Sequence, residues 1–328
     1  MARSGPRLGP ALFFGTLALA SLTVLSRADA ALGPVRPERV ARPLMPSISL
    51  ARSARGRSRA VQMLTALPGG SVRLPLEVTG APHSLSYEWI ELGSVDPVAA
   101  PLSLAGPILA PREPGFYRLA VVRDGERRIV DSLTLGVLKP LTEKRGASIN
   151  GYRIGFYRGE RKGDTEGAPE GFLEVLEEHA SLEVSEHLNL ADFIAHDAQT
   201  TWPRYVAIDP RLLDKLELVF EEIVRLRGGK EGSAVDVNVR SGYRTPLHNR
   251  RVVRAASDSR HQYGDAADVA VDANGDGRIS SADISLIARA VEAVERAHPE
   301  LVGGLGTYTG GSAYAHIDVR GRASRWRG

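Results

Sequence analysis

The sequence predicts an α+β fold, in which a small all-β, sandwich-like domain precedes a domain that mixes helices with short strands. Residues 61–138 hold short β-type runs separated by turn residues, whereas a helical period appears after Pro140. The chain has 328 residues, of which 43% are hydrophobic and 25% charged. That composition is typical of a globular protein, and the length suffices for one sizeable core and a smaller second domain.

The first thirty residues have the three parts of a secretory signal peptide. Arg3 and Arg7 give a positive start, residues 11–25 are mostly apolar, and residues 28–30 supply a small-x-small cleavage pattern. The apolar run is shorter than the roughly 20 residues that span a bilayer comfortably, which favours a cleaved signal over an uncleaved anchor. We therefore expect a periplasmic or secreted protein with no membrane contact beyond this signal.

Residues 31–60 are expected to form a disordered linker. They carry seven arginines against one acidic residue, Glu38, together with four prolines. The segment therefore has little apolar surface to bury, and its arginines repel one another. A solvated tether is favoured over contact with an anionic cell-wall polymer.

The charge of the chain is unevenly distributed. The net charge is +3, but the first sixty residues carry +8 and the last nine +4, which leaves −9 for residues 61–319. This acidic body argues against a nucleic-acid partner. Cysteine is absent, which excludes a disulfide framework, a thiolate zinc site and a cysteine nucleophile.

Residues 61–139 are predicted to form the β-rich domain. Strands are expected over 71–78, 87–90, 116–122 and 129–137, and Asp124-Gly125 is typical of a hairpin turn. These residues contain no catalytic constellation, so the domain is interpreted as a spacer or as a protein- or glycan-binding module.

Residues 140–328 are predicted to form the second domain. Over 210–220, apolar residues at helical spacing predict an amphipathic helix, and residues 234–239 predict a strand. Three chemically rich stretches follow, at 241–246, 259–268 and 314–321.

The last two of these stretches contain candidate metal ligands. His261 and Asp268 are seven residues apart with glycine and alanines between them, so a loop and the following strand can present both side chains to one point. His316, on a second short strand, can supply a third ligand. Two imidazoles and one carboxylate leave a fourth tetrahedral position for water, as in catalytic zinc sites. Taken alone, each histidine is also compatible with an ordinary hydrogen-bonded residue.

Four motifs occur in a characteristic order: Ser-Gly-Tyr-Arg-Thr at 241–245, Ser-x-His-x-x-Gly-x-Ala-x-Asp at 259–268, Gly-x-Gly-x-Tyr at 304–308, and His-Ile-Asp-Val-x-Gly at 316–321, followed by a tryptophan. Together they resemble the zinc D-Ala-D-Ala carboxypeptidase family (VanY-like and YcbK-like, LAS-type metallopeptidases), especially its YcbK-like branch of murein peptidases. The resemblance covers roughly residues 148–328. It implies a zinc peptidase domain with a small antiparallel sheet and flanking helices, and peptidoglycan as partner.

The resemblance also implies individual roles. It makes His261, Asp268 and His316 the zinc ligands. Arg244 matches an arginine that stabilises the substrate carbonyl and its oxyanion, a charge that a guanidinium supplies without proton transfer; the alternative is a plain surface salt bridge. The remaining implied roles are substrate contacts by Tyr243 and Tyr308 and orientation of the His261 loop by a side-chain hydrogen bond of Ser259.

The sequence departs from the family at the general base. Many relatives carry a glutamate or a second histidine two or three residues before the last histidine, where this chain has Ala313 and Tyr314. Asp318 lies two residues after that histidine, so a strand places both side chains on the same face. It is a candidate to accept the water proton or to orient an imidazole, and pairing with Arg320 or Arg322 is the alternative.

Residues 272–283 read as a twelve-residue calcium loop inserted after the Asp268 strand. Glycine at its sixth position permits the sharp turn, and an amphipathic helix follows. The loop resembles dockerin and EF-hand loops, although its last ligand is an aspartate in place of the usual glutamate. We therefore predict a structural calcium clamp, with ligands from Asp272, Asn274, Asp276, Arg278 (by its carbonyl), Ser280 and Asp283.

These features predict an exported zinc metallopeptidase that hydrolyses peptidoglycan stem peptides or cross-links, as a D,D-carboxypeptidase or an endopeptidase. The alternative is a non-catalytic, zinc-dependent cell-wall binding module, which the absent glutamate favours. A calcium-dependent polysaccharide-binding function is a third and weaker hypothesis. The residues leave open which bond is cleaved and the oligomeric state.

Overall fold

Two five-stranded sheets and two long helices dominate the computed structural model, which describes residues 48–50, 62–74, 76–78, 84–229 and 235–328. The predicted signal peptide and most of the predicted linker lie outside the described residues. The helices are α1 Pro210–Leu226, α2 Pro246–Asn249 and α3 Ser281–Ala297. The strands are β1 Ile48–Leu50, β2 Gln62–Ala66, β3 Leu76–Val78, β4 Ser86–Glu91, β5 Leu102–Ser103, β6 Gly115–Arg123, β7 Glu126–Val137, β8 Lys139–Pro140, β9 Ser148–Ile149, β10 Tyr152–Arg153, β11 Gly171–Val175, β12 Arg204–Val206, β13 Val237–Ser241, β14 Ala266–Val271, β15 Gly304–Tyr308, β16 Tyr314–Asp318 and β17 Ser324–Arg327.

The N-terminal sheet has the strand order β2-β7-β6-β4-β5, in which β2 and β7 run parallel and the other pairs are antiparallel. Asp124 and Gly125 join β6 to β7 with φ angles of 49° and 82°. Two positive φ angles in a two-residue loop match the right-handed twist of a hairpin, so the predicted turn is confirmed. Strand β1 falls inside the segment predicted as a linker, where it pairs with β3 through backbone hydrogen bonds.

The mixed α+β character is confirmed, whereas the predicted sandwich takes a different form in the described residues. The strands β2, β4, β5, β6 and β7 form one five-stranded sheet, and β3 pairs with β1. The described residues belong to one compact unit, in which Met63 and Phe116 of the N-terminal sheet share a core with Phe172 and Leu173. The boundary predicted between residues 139 and 140 thus falls inside this unit and stays a prediction.

Helix α1 begins where its sequence supplies a capping residue and a proline. The Asp209 side chain caps it by accepting a hydrogen bond from Arg211 N, and Pro210 occupies the first turn, where its missing N–H costs nothing. The apolar face of α1 continues to Ile223, which is buried in the core. The helix ends at Leu226, six residues beyond the predicted stretch 210–220. Helix α1 packs against α3, and α3 contacts β15 and β16.

The C-terminal sheet has the strand order β13-β14-β16-β15-β17 and is antiparallel except for the parallel pair β15–β17. Ala267, Val269 and Val271 of β14 lie in the same core cluster as the apolar residues of α1 and α3. Because neighbouring strand residues point to opposite faces, Asp268 projects from the other face. The helices thereby leave the polar face of this sheet to the candidate site. No helix within the described residues is long and apolar enough to span a membrane.

Candidate metal centre

Three side chains predicted as metal ligands meet on the polar face of the C-terminal sheet. Asp268 pairs with His316 across β14 and β16, so their side chains are neighbours. His261 lies in a 3-10 turn over 260–263 that precedes β14, and this turn folds the imidazole back over the sheet. All three side chains are buried, with relative exposures of 1% for His261 and 7% each for Asp268 and His316.

The ligand atoms converge on one point. His261 Nε2 is 3.1 Å from both Asp268 Oδ1 and His316 Nδ1, and His316 Nδ1 is 2.9 Å from Asp268 Oδ1. These separations suit three ligands around one ion whose metal–nitrogen distances are about 2.0–2.1 Å. The three residues therefore form a group that could bind a metal ion.

Each imidazole has a hydrogen-bond acceptor on the side away from the point where the ligand atoms converge. His261 Nδ1 donates to the carbonyl oxygen of Gly242 at 2.7 Å, and His316 Nε2 donates to Asp318 Oδ2 at 3.1 Å. A neutral imidazole then presents its other nitrogen as a lone pair. With a metal ion bound, both imidazoles would be neutral and would turn these lone pairs, together with an Asp268 oxygen, to the ion. Without one, burial lowers the pKa of His316, but its hydrogen bonds to Asp268 and Asp318 raise it above its ordinary value.

The loop before α2 holds His261 by its backbone as well as by its ring. Arg244 N donates to the His261 carbonyl oxygen at 3.0 Å, next to the Gly242 contact with the ring. A Cβ atom at position 242 would lie 2.7 Å from Asp192 O and 2.7 Å from the Cα of Phe193. Glycine is therefore required at this position for the close approach that aims the imidazole.

Asp318 lies behind His316, away from the point where the ligand atoms converge. Its carboxylate accepts hydrogen bonds from His316 Nε2, from Gly304 N at 2.7 Å and from Arg320 Nε at 2.9 Å, and it is fully buried. Burial alone raises the pKa of this carboxyl, but the hydrogen bonds from His316 and Arg320 lower it well below its ordinary value. Because its contacts lie on the far side of the imidazole, the geometry opposes the general-base role and favours orientation of His316.

Arg244 lies beside the metal ligands. Its Nη2 donates to Asp268 Oδ2 at 2.7 Å and its Nε to Ser241 Oγ at 2.7 Å. Burial would raise the pKa of Asp268, but the adjacent histidines lower it well below its ordinary value. The salt bridge considered as an alternative for Arg244 thus exists, although it is partly buried and its partner is a candidate ligand.

An aromatic wall adjoins the ligands on the same face; we use this name for Tyr308, Tyr314 and Trp326. The Tyr308 and Tyr314 rings stack at 4.3 Å with an interplanar angle of 6°, and Trp326 Nε1 donates to Tyr308 Oη at 2.9 Å. The Trp326 ring lies 5.1 Å from the His316 ring. Gly306 makes room for it, since a Cβ there would lie 2.4 Å from the indole.

Two predicted site residues lie in other environments. Tyr243 is 1% exposed and its hydroxyl bonds to that of Tyr157 at 2.9 Å, so this ring belongs to the core and the predicted substrate contact is wrong. The Ser259 hydroxyl makes no hydrogen bond to any described residue; instead its carbonyl oxygen accepts from Gln262 N at 3.0 Å. The predicted orienting contact of Ser259 thus comes from the backbone. Tyr308, in contrast, does adjoin the ligands.

The predicted calcium loop folds tightly around its own side chains. Asp272 accepts from the backbone N–H groups of Gly275 and Gly277 at 2.8 Å each. Asp283 accepts from Asn274 N at 3.0 Å and Ser280 N at 2.7 Å, and it caps α3 together with Ser280. These contacts stabilise the loop by themselves, so calcium binding stays a prediction.

Sequence reasoning missed several supporting residues. The Gly242 contact is made by a backbone carbonyl, which no side-chain pattern predicts. Trp326 belongs to a motif of the sequence, but that motif assigns it no role. Lys215 is fully buried, where its Nζ donates to Glu295 Oε1 and to the Asp318 carbonyl oxygen at 2.7 Å each. A lysine in an amphipathic helix is usually solvent-exposed, so nothing in the sequence marked this contact.

This site combines a convergent, buried His-Asp-His group with a neighbouring arginine, an arrangement typical of a metal-dependent hydrolase. Residues 217–318 match the family model described as Peptidase M15. The match covers about a third of the chain, includes all three candidate ligands, and supports the M15 zinc peptidase family and hence a zinc metallopeptidase. No curated protein matches the chain.

Proposed function

We propose that the protein is an exported zinc metallopeptidase that hydrolyses stem peptides or cross-links of peptidoglycan. The observation that carries the proposal is the group of His261, Asp268 and His316, whose ligand atoms converge at separations of 2.9 to 3.1 Å. The Peptidase M15 match supports the peptidase class. The four-motif resemblance to murein peptidases and the predicted signal peptide support the substrate and the export.

The residues of the chain divide the chemistry among them. When bound, zinc supplies a Lewis acid that lowers the pKa of water towards about 7 and polarises the scissile carbonyl. Asp318 holds the His316 imidazole in its ligating tautomer. Arg244 stands beside Asp268 and can donate to the oxygen on which negative charge develops. The aromatic wall shields one flank from water, which strengthens these interactions.

The absence of a glutamate near His316 supports a second function, a zinc-dependent cell-wall binding module without catalysis. Within the described residues, the carboxylates next to the ligand atoms are Asp268 and Asp318, and both are engaged. A binding module needs no general base, so it is consistent with a site in which both neighbouring carboxylates are engaged. It predicts zinc-dependent retention on the cell wall with no product.

Incubation of the zinc-loaded protein with purified peptidoglycan sacculi separates the two functions. We expect new soluble muropeptides, because a buried His-Asp-His group beside an arginine supplies both water activation and oxyanion stabilisation. Chromatography with mass spectrometry of the digest measures them, and zinc-depleted protein is the control. Zinc-dependent co-sedimentation with sacculi and an unchanged muropeptide profile would instead establish the binding module.

We also propose that the loop at 272–283 binds calcium and clamps the junction between β14 and α3. The support is its ligand pattern and the tight turn at Gly275 and Gly277, whose φ angles are 77° and 79°. Added calcium is expected to raise the melting temperature, because an ion that binds the folded state stabilises it. Thermal unfolding with calcium and with a calcium chelator measures the shift, and Asp276→Ala should abolish it. A wild-type melting temperature that is the same with calcium and with the chelator would contradict the proposal.

A further inference from the structure

A cationic side chain on the site face lacks an acidic partner. Arg240 Nη1 donates to the Ser312 carbonyl oxygen at 3.0 Å, and the guanidinium lies 5.6 Å from the centre of the Tyr314 ring. Among the described residues, Arg240 forms no ion pair, whereas Arg244 is held by Asp268. The remaining N–H groups of Arg240 are thus available to an anion from outside the chain.

The position of Arg240 relative to the metal centre follows from strand register. Arg240 lies at a register shift in β13, directly before Ser241, which pairs with Asp268. Tyr314, under the guanidinium, lies two residues before His316 and so shares its face of β16. Two residues along a strand span about 7 Å. Arg240 therefore stands roughly one row of the sheet away from the ligand row.

A small residue, Ala270, lies on the site face of β14 in the row next to the ligands. Ala270 follows Asp268 by two residues on β14, so its methyl group lies on the same face in the next row. Ala270 is 1% exposed, so neighbouring side chains already cover its methyl group. Consecutive Cα atoms of a peptide are about 3.8 Å apart, so a substrate held at the ligand row would bring a group about one or two residues away to the row of Tyr314 and Arg240.

We propose that Arg240 binds a carboxylate of the peptide substrate, one or two residues from the scissile bond. The inference rests on the proposed peptidase function and names a specificity residue for it. A guanidinium binds a carboxylate through parallel N–H···O bonds, and the Tyr314 face and the Ser312 carbonyl hold its plane in place. The carboxylate belongs either to the peptide C-terminus or to an acidic side chain.

Three peptides distinguish these sources: N-acetyl-D-alanyl-D-alanine, its C-terminal amide, and N-acetyl-D-alanyl-D-glutamic acid α-amide. Their hydrolysis is measured with zinc-loaded wild type, Arg240→Gln and Arg322→Gln, the last being an exposed arginine on the turn after β16. We expect Arg240→Gln to lower kcat/KM at least about tenfold for a peptide with a recognised carboxylate, and to leave the plain amide unchanged. Arg322→Gln should change none of the three.

Each outcome decides the proposal. A loss confined to N-acetyl-D-alanyl-D-alanine assigns the terminal carboxylate, and a loss confined to the glutamic acid peptide assigns a side-chain carboxylate. Equal losses for all three peptides, or no loss, would show that Arg240 only ties the β15–β16 turn to β13. Equal melting temperatures of the variants and the wild type exclude misfolding as the cause of any loss.

A binding measurement separates this inference from the proposed function. Zinc-depleted wild type and Arg240→Gln are titrated calorimetrically with the same three peptides, so that no hydrolysis intervenes. We expect the wild type to bind a carboxylate peptide at least about tenfold more tightly than the amide, and the variant to lose that preference. If the wild type cleaves no peptide but keeps this preference, the peptidase proposal fails and Arg240 retains its role. A wild type without the preference overturns the inference.

Discussion

Replacement of His261 by alanine is expected to abolish both zinc binding and peptide hydrolysis. The imidazole is one of three side chains that could together bind a metal ion, and the described 3-10 turn offers no other donor at that point. Removal of a group that only supports a ligand costs roughly 10–100-fold in metal affinity or activity, so loss of a ligand itself should cost more. Zinc content by mass spectrometry of metals and muropeptide release from sacculi measure the two effects.

His196→Ala is the matched control for this variant, because His196 is an exposed histidine outside the candidate site. The control should keep about one zinc ion per chain and full activity. Thermal unfolding of both zinc-depleted variants shows whether each still folds. Full muropeptide release by a folded His261→Ala protein would refute the proposed mechanism.

Replacement of Asp318 by asparagine should weaken zinc binding about 10–100-fold and also destabilise the fold. The variant removes the carboxylate that accepts from His316 Nε2 and pairs with Arg320. Loss of one partner from a buried ion pair costs about 3 kcal/mol, since the remaining charge is left uncompensated. Competition with a zinc-binding dye measures the affinity, and denaturant unfolding of zinc-depleted protein measures the free energy.

The destabilisation should depend on pH in a defined direction. The pKa of Asp318 lies below its ordinary value in the folded protein, so its contribution is present above the unfolded pKa of about 3.9 and is lost as pH falls through the folded pKa. The difference in unfolding free energy between zinc-depleted wild type and variant should therefore shrink in acid. It should also fall as pH rises above about 6.5, because the hydrogen bond to Asp318 helps to raise the pKa of His316 in the folded protein. Asp131→Asn, an exposed position on β7, should change neither property. Unaltered zinc affinity in Asp318→Asn would contradict the orienting role.

The candidate ligand group of His261, Asp268 and His316 could be predicted because local sequence patterns encode its parts and their order resembles a peptidase family. The seven-residue spacing of His261 and Asp268 joins a turn to a strand, and the structure has that turn and that strand. The α1 helix and the Asp124-Gly125 hairpin were likewise predictable, since helical period and turn chemistry are local properties. The structure also brings Arg244 and Tyr308 to the site.

The sequence left a role open or misplaced it where a side chain has two possible directions. Tyr243 belongs to the same motif as Arg244, yet its ring enters the core beside Tyr157 while the guanidinium reaches Asp268. A turn residue has no fixed period, so its direction depends on what packs around it. Asp318 has the strand position that the sequence indicates, but its neighbours Arg320 and Gly304 place its carboxylate behind the imidazole.

By itself, the sequence determined the mixed fold, helix α1, the hairpin turn at Asp124-Gly125 and the identity of three candidate metal ligands. These depend on periodicity, spacing and residue chemistry along a short stretch of chain. Only the tertiary structure decided which groups accept hydrogen bonds from the two histidine rings, the position of Asp318 and the proximity of Arg240 to the ligands. Those properties depend on contacts between residues far apart in sequence, such as Gly242 with His261 and Arg240 with Ser312, whose geometry is set by the packing of the whole sheet.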